Sequence, residues 1–158
     1  MQARLNWTTD QAAMKAILGM GHYAEHSGLE RSLIDLVLIR ASQINHCAYC
    51  LDMHTKDARV SGETEQRLYA LSAWQEAPFF SERERAALAW TEAVTVLTDG
   101  FVPDEVYEQV RQHFSEQELI GLTMAVVTIN SWNRMNVSFR IPAGDYQSTR
   151  KPAAEVVG

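Results

Sequence analysis

Apolar residues along this chain recur at steps of three and four, and stretches that alternate apolar with polar residue by residue are hard to find. The pattern predicts an all-α protein. A first helix begins after Thr8 or Thr9, places Ala13, Ile17, Met20 and Ala24 on one stripe, and ends at Ser27-Gly28. The second, about Leu29 to Ile44, is the most apolar. Leu33, Leu36, Val37, Ala41 and Ile44 share a face, while Ile34, Leu38 and Ile39 fall elsewhere on the wheel. A helix apolar nearly all round is buried, inside the domain or in a subunit interface. A third helix, with Asn45 as its expected N-cap, runs from Cys47 to about Val60 and stops at Ser61-Gly62. A short fourth covers roughly Thr64 to Trp74 and breaks before Pro78.

Two capping boxes, Ser81-Glu82-Arg83-Glu84 and Ser115-Glu116-Gln117-Glu118, mark later starts. The first opens a fifth helix running through Leu88, Val94 and Leu97 towards Gly100. The second opens a long seventh through Leu119, Leu122, Val126 and Ile129. Between them Pro103 suits the first residue of a sixth helix ending near Phe114. After Pro142 the patterning fades, and the tail over 143–158 reads as irregular or mobile. No repeat, low-complexity tract or linker divides the chain, so residues 1–158 are expected to form one helical domain with its core at about 10–142.

Composition narrows the function. Apolar residues make up 46% and charged residues 22% of the 158 positions, which suits a folded domain with a real core. A net charge of −6 with no Lys/Arg cluster argues against nucleic acid as a partner. No apolar run approaches the ~20 residues of a membrane span, and the N-terminal stretch Met1-Gln2-Ala3-Arg4-Leu5-Asn6 lacks the apolar core of a signal peptide. The expected compartment is the reducing cytoplasm. The four tryptophans (Trp7, Trp74, Trp90 and Trp132) sit at helix ends or on apolar faces, and packing is the expected role. Asn130, Asn133 and Arg134 give the last helix a polar cluster that either bonds across an interface or faces solvent.

The candidate chemistry lies in Asn45-His46-Cys47-Ala48-Tyr49-Cys50-Leu51-Asp52-Met53-His54, which holds both cysteines of the chain. At about 100° per residue, Cys50 and His54 lie roughly 60° and 20° around the helix from Cys47, on one face. The first turn of a helix offers unpaired N–H groups and the positive end of the macrodipole, which favour a thiolate. An imidazole one turn further on can accept or return a proton.

Several chemistries compete for this spacing. Two buried cysteines packing as small hydrophobes are one. Zinc is another: Cys47, Cys50 and His54 supply three ligands where a structural site wants four, and His22, His26, His46 and His113 are scattered. Haem attachment needs a histidine where Leu51 stands. Thioredoxin-like exchange needs a βαβ pattern that does not precede Cys47. Peroxide reduction on a helical scaffold fits better. There a thiolate cleaves the O–O bond, becomes a sulfenic acid, and condenses with its neighbour to a disulfide. Cβ atoms one turn apart in a regular helix are about 5–6 Å apart, more than the ~3.5–4.5 Å of a disulfide, so one cysteine must sit at the helix end. Cys47 does, which favours Cys50 as the attacking sulfur and Cys47 as the resolving one.

The stretch from Asp35 through Cys47-Ala48-Tyr49-Cys50 to His54 resembles the core of the alkylhydroperoxidase D-like branch of the carboxymuconolactone decarboxylase family. The similarity continues through Asp57-Ala58-Arg59 and Gly62, and more loosely through 80–89 and 129–134. The resemblance implies an all-α subunit assembling into trimers or hexamers, with its site near a subunit interface. It implies a peroxidase in which Cys50 attacks an organic hydroperoxide, Cys47 forms the disulfide, His54 carries protons and the upstream acid, Asp35, polarises or relays them. It implies no metal or organic cofactor, and a dithiol protein (lipoyl-bearing or thioredoxin-like) as reductant. Two positions depart from the pattern: Asp35 stands where the characterised peroxidases have glutamate, and Tyr49 where they have a second histidine. Asp35 itself sits in the apolar collar of the second helix. It reads either as a solvated acid at a helix start or as a partly buried carboxyl that passes protons. His46 reads as a surface or capping residue. The cysteine pair argues against decarboxylation of a lactone. The rival functions are a disulfide reductase or redox sensor using the same cysteines, and a non-catalytic oligomeric module whose pair holds zinc or another ligand.

Overall fold

The computed structural model describes residues 2–98 and 100–152. Its seven α-helices are α1 (Gln11–Glu25), α2 (Arg31–Ile44), α3 (Ala48–Val60), α4 (Glu65–Ala70), α5 (Glu82–Thr95), α6 (Asp104–Arg111) and α7 (Glu116–Phe139), with short 3-10 turns at Trp7–Thr9 and Leu71–Ala73. Among the described residues there is no β-strand.

The α2 helix, with eight of its fourteen residues buried, is the one the others pack on. α2 lies against α3, α5 and α7, while α1 lies along α7 and α6 against α5. This follows from its sequence, because an apolar surface on every side can be covered only by neighbours on every side. Leu33, Ile34 and Val37 pack with Ala86, Ala87 and Trp90 of α5, Leu122, Ala125 and Val126 of α7, and Phe114. The opposite side, Leu36 and Ile39, meets Ala58 of α3, Leu68, Leu71, Trp74, Phe80 and Leu88. Ala41, near the C-terminal end of α2, forms a third, smaller cluster with Cys47, Cys50 and Ile129. The α2 helix thus delivers the sulfur site directly to the core.

Both capping boxes are present at Ser81/Glu84 and Ser115/Glu118. Other boundaries move. Asp10, not Thr8 or Thr9, caps α1, its carboxylate accepting from the N–H groups of Ala12 and Ala13 at 3.0 Å. Pro103 is the N-cap of α6 rather than its first residue, with an extended ψ of 145°. The α5 helix ends at Thr95, short of Gly100, where Val96 leaves helical geometry. Gly121 of α7 is a close approach: a Cβ there would lie 2.3 Å from Ser27 Cβ, so glycine lets the α1–α2 connection rest on α7.

The segment after Phe139 is irregular, as its composition predicts, but over 144–150 it is fastened to α2 and α3 by side-chain bonds described below. The remainder of the predicted tail, 153–158, lies outside the described residues. Among the described residues no helix is long and apolar enough to cross a membrane.

Candidate active site

The chain reverses sharply between α2 and α3. Asn45, predicted as the N-cap of α3, is instead the C-cap of α2. Its Nδ2 lies 2.9 Å from Asn130 Oδ1 and 3.0 Å from Asn133 Oδ1 of α7. His46, exposed, takes a left-handed backbone with φ of 54°. The cap of α3 is therefore Cys47 itself, extended at φ −86° and ψ 94°, whose Sγ accepts from the Cys50 N–H at 3.4 Å. The reason is physical: a residue outside the helix can swing its sulfur back over the first turn, which a helical residue cannot. The sulfurs of Cys47 and Cys50 are joined in a disulfide, with Cα atoms 5.3 Å apart.

Both cysteines are almost wholly buried, at 1% and 0% exposure. The packing around them comes from Ala41, Leu38, Tyr49, Ile129 and Trp132. One polar group reaches in. Asn136 of α7 donates from Nδ2 to Cys50 Sγ at 3.4 Å, and its Oδ1 accepts from Trp7 Nε1 at 3.0 Å. A thiolate at Cys50 would thus meet both a side-chain N–H and the N-terminal turn of α3. Asn133, fully buried, donates to Ser42 Oγ at 3.1 Å and so ties α7 to α2 beside the turn. Of the polar cluster of the last helix, Asn130 and Asn133 bond to Asn45 at the turn, while Arg134 is exposed.

His54 follows one helical turn after Cys50 and is buried. Its Nδ1 has no hydrogen-bond partner. Burial, opposed by the charges of Asp35 and Asp57, lowers its pKa to about 4, so the ring is neutral near pH 7. It lines a cavity of about 370 Å³ together with Leu18, Ile34, Leu38, Ile129, Trp132 and, at its polar edge, His22 and Glu25. Leu38, Ile129 and Trp132 belong both to this lining and to the packing around the sulfurs, which sets the cavity next to the disulfide. Three of the tryptophans, Trp7, Trp74 and Trp90, are packed in the interior, and Trp132 faces the cavity.

Asp35 is buried at 2% exposure, so the solvated reading does not describe it. Its carboxylate is held by Arg150 of the C-terminal segment, through Nη1 to Oδ2 at 2.6 Å and Nη2 to Oδ1 at 2.9 Å, and by Arg31 at 3.3 Å. Asp57, also buried, accepts from Tyr146 and Ser148. Sequence reasoning named Cys47, Cys50, His54 and Asp35, and the fold brings these four onto the facing helices α2 and α3. It missed Asn136, Trp7 and the C-terminal group. The step of three from Asn130 through Asn133 to Asn136 was a readable signal for the first. Nothing local pointed to Arg150. Among the described residues no group of three His, Cys, Asp or Glu is placed to hold a metal ion.

A helical domain built on one buried helix, with a C-x-x-C pair at the start of the next, defines a class: the all-α fold of the alkylhydroperoxidase D-like proteins. Residues 11–93 match the carboxymuconolactone decarboxylase family, and the chain belongs to that family, in its alkylhydroperoxidase D-like branch. It is 46% identical over 125 residues to the uncharacterized protein YdfG of Bacillus subtilis strain 168, covering 79% of this chain and 85% of the relative. It is 31% identical over 119 residues to the uncharacterized protein YnjA of Escherichia coli K12, covering 75% and 65%. Among solved structures it resembles ATU0492 of Agrobacterium tumefaciens, a protein of unknown function assigned provisionally as the antioxidant defence protein AhpD. That match has a TM-score of 0.87 and 40% identity over 92% of this chain and all of the other.

Proposed function

We propose that the protein is a thiol-dependent reductase of organic hydroperoxides. The observation that carries the reading is the joined Cys47–Cys50 pair at the N-terminal turn of α3, with neutral, unpartnered His54 one turn on and opening to an apolar cavity.

In the reduced protein, His54 takes the proton of the Cys50 thiol. The thiolate attacks the terminal oxygen of ROOH, the O–O bond breaks, and the departing alkoxide receives the proton as ROH, leaving Cys50 as sulfenic acid. Cys47 then attacks that sulfur, forming the disulfide and releasing water. An external dithiol returns both electrons and both protons. A slender dithiol such as a lipoyl arm suits sulfurs this deeply buried better than the surface of a folded disulfide protein. The same burial weighs against general disulfide exchange as the main reaction. Apolar lining favours an alkyl or aryl hydroperoxide over hydrogen peroxide. Exposed Leu18 on α1 and Ile120, Val127 and Val137 on α7 support a homo-oligomer, trimeric or hexameric. A reducing compartment such as the cytoplasm would keep the pair cycling.

The test is thiol loss in fully reduced, metal-free protein after a stoichiometric pulse of an organic hydroperoxide. Wild type loses both thiols quickly, Cys50→Ser loses none, and Cys47→Ser accumulates a trappable sulfenic acid. Wild-type thiols that survive many minutes at neutral pH would rule the peroxidase out.

A further inference from the structure

Two carboxylates on neighbouring helices are buried beside His54, and buried charge must be matched. Asp35 is 2% exposed and Asp57 is 7% exposed. The matching group comes from the end of the chain. Arg150 grips Asp35 with a two-pronged fork at 2.6 and 2.9 Å, and its Nε lies 3.6 Å from Asp57. Tyr146 and Ser148 donate to Asp57 at 2.9 and 2.5 Å. The segment is anchored further up as well. The Gly144 N–H donates to Asp52 at 3.1 Å, and Lys56 donates to the Gly144 and Tyr146 carbonyls at 3.2 and 2.9 Å.

We infer that Arg150 is a positioning residue of the cysteine site: delivered by the C-terminal segment, its fork holds Asp35 and offsets the two buried acids, Asp35 and Asp57, that act on His54. This rests on the peroxidase reading for its purpose, though not for its electrostatics. Arg31 and Asp35 of α2, Asp57 of α3 and Arg150 of the C-terminal segment act on the charge of His54. Tyr146 bonds to Asp57, and His22 and Glu25 of α1 line the same cavity as His54. The cavity residues of α7 (Ala125, Thr128, Ile129 and Trp132) carry no charge. With Arg150 the two acids face two guanidinium groups. Without it, two acids face only Arg31, which is nearly half exposed and therefore screened. His54 would then gain proton affinity. Burial still keeps the ring neutral near pH 7, so the change is read in the titration of His54 itself.

The experiment is an NMR titration of the His54 ring protons in the intact, disulfide-bonded protein. In R150Q the titration moves up by about one unit or more. In D35N/R150Q, where charge is balanced again although the fork is gone, it returns towards wild type. R150K, which keeps the charge, stays close to wild type. If R150Q does not fold, D35N/R150Q is compared with D35N alone, and removal of the cation must raise the titration. A purely structural Arg150 predicts no such rescue. An unmoved titration in folded R150Q, or a double variant that titrates like R150Q, overturns the inference. A parallel hydroperoxide pulse separates the two claims. Wild-type thiols that do not react sink the peroxidase reading, whereas the titration still decides the role of Arg150.

Discussion

Acid should destabilise this protein well above the pH at which carboxylates titrate, and His54 is the reason. In the folded chain the ring is buried and its pKa is lowered to about 4, against 6.5 for a free histidine. The native state therefore binds the proton more weakly than the unfolded state. Stability must fall as pH drops through the interval between those two values, and it is fully present above it. At pH 5 an unfolded His54 is almost completely protonated and the native ring about one-tenth so. The linked loss between pH 7 and pH 5 is about 2 kcal/mol, rising to roughly 3 kcal/mol below pH 4. Against a domain stability of about 5–15 kcal/mol this is easily measured. The assay is urea unfolding of the disulfide-bonded protein, followed by the fluorescence of its buried tryptophans, at a series of pH values from 7.5 to about 5. With m near 1–3 kcal/mol per M, the wild-type midpoint should drop by roughly 1 M. His54→Gln, which cannot be protonated, removes this contribution and leaves a flatter curve. Parallel curves for wild type and His54→Gln over this range would refute the argument.

Other contacts yield sharper local tests. Asn136→Ala removes the donor to Cys50 and leaves the buried Trp7 N–H without its acceptor. It should raise the Cys50 thiol pKa, read from thiolate absorbance, and cost about 1–3 kcal/mol in thermal unfolding. Gly21→Leu grows from a Cβ position 3.5 Å from Thr128 in the cavity lining, so it should slow a bulky aryl hydroperoxide more than tenfold while sparing hydrogen peroxide. Gly121→Ala forces Ser27 away from α7 and should destabilise by about 1–3 kcal/mol without changing the thiol pKa. Ser81→Ala breaks the capping box of α5 and should cost about 1 kcal/mol with no effect on thiol reactivity.

The helices were legible because their signals are local. Each capping box is four consecutive residues that satisfy one another's donors, and the all-round apolar character of α2 already says that it is enclosed. Boundaries were less legible where two caps competed. Asn45 has the chemistry of an N-cap for α3, yet its side chain is drawn to Asn130 and Asn133, some 85 residues away in sequence. That leaves Cys47 to cap the helix. The residue best suited to cap by its own chemistry lost to a long-range pull.

The same distinction explains the site. Cys47, Cys50 and His54 share one helix, so spacing alone puts them on one face. Asp35 acts on the charge of His54 because α2 and α3 are joined by a tight turn and pack on each other. Arg150 is different in kind. It lies 115 residues from Asp35 along the chain, in a segment with no periodicity, and its partner is defined only once two buried acids exist to be matched. Burial made Asp35 more than a solvated acid, and burial is also what demanded a counter-ion. An acid predicted to sit inside an apolar collar therefore raises a question that local reading leaves open, namely which distant cation completes it. In this chain the answer is the C-terminal segment, and it arrives with Tyr146 and Ser148 to satisfy the second acid, Asp57, in the same stroke.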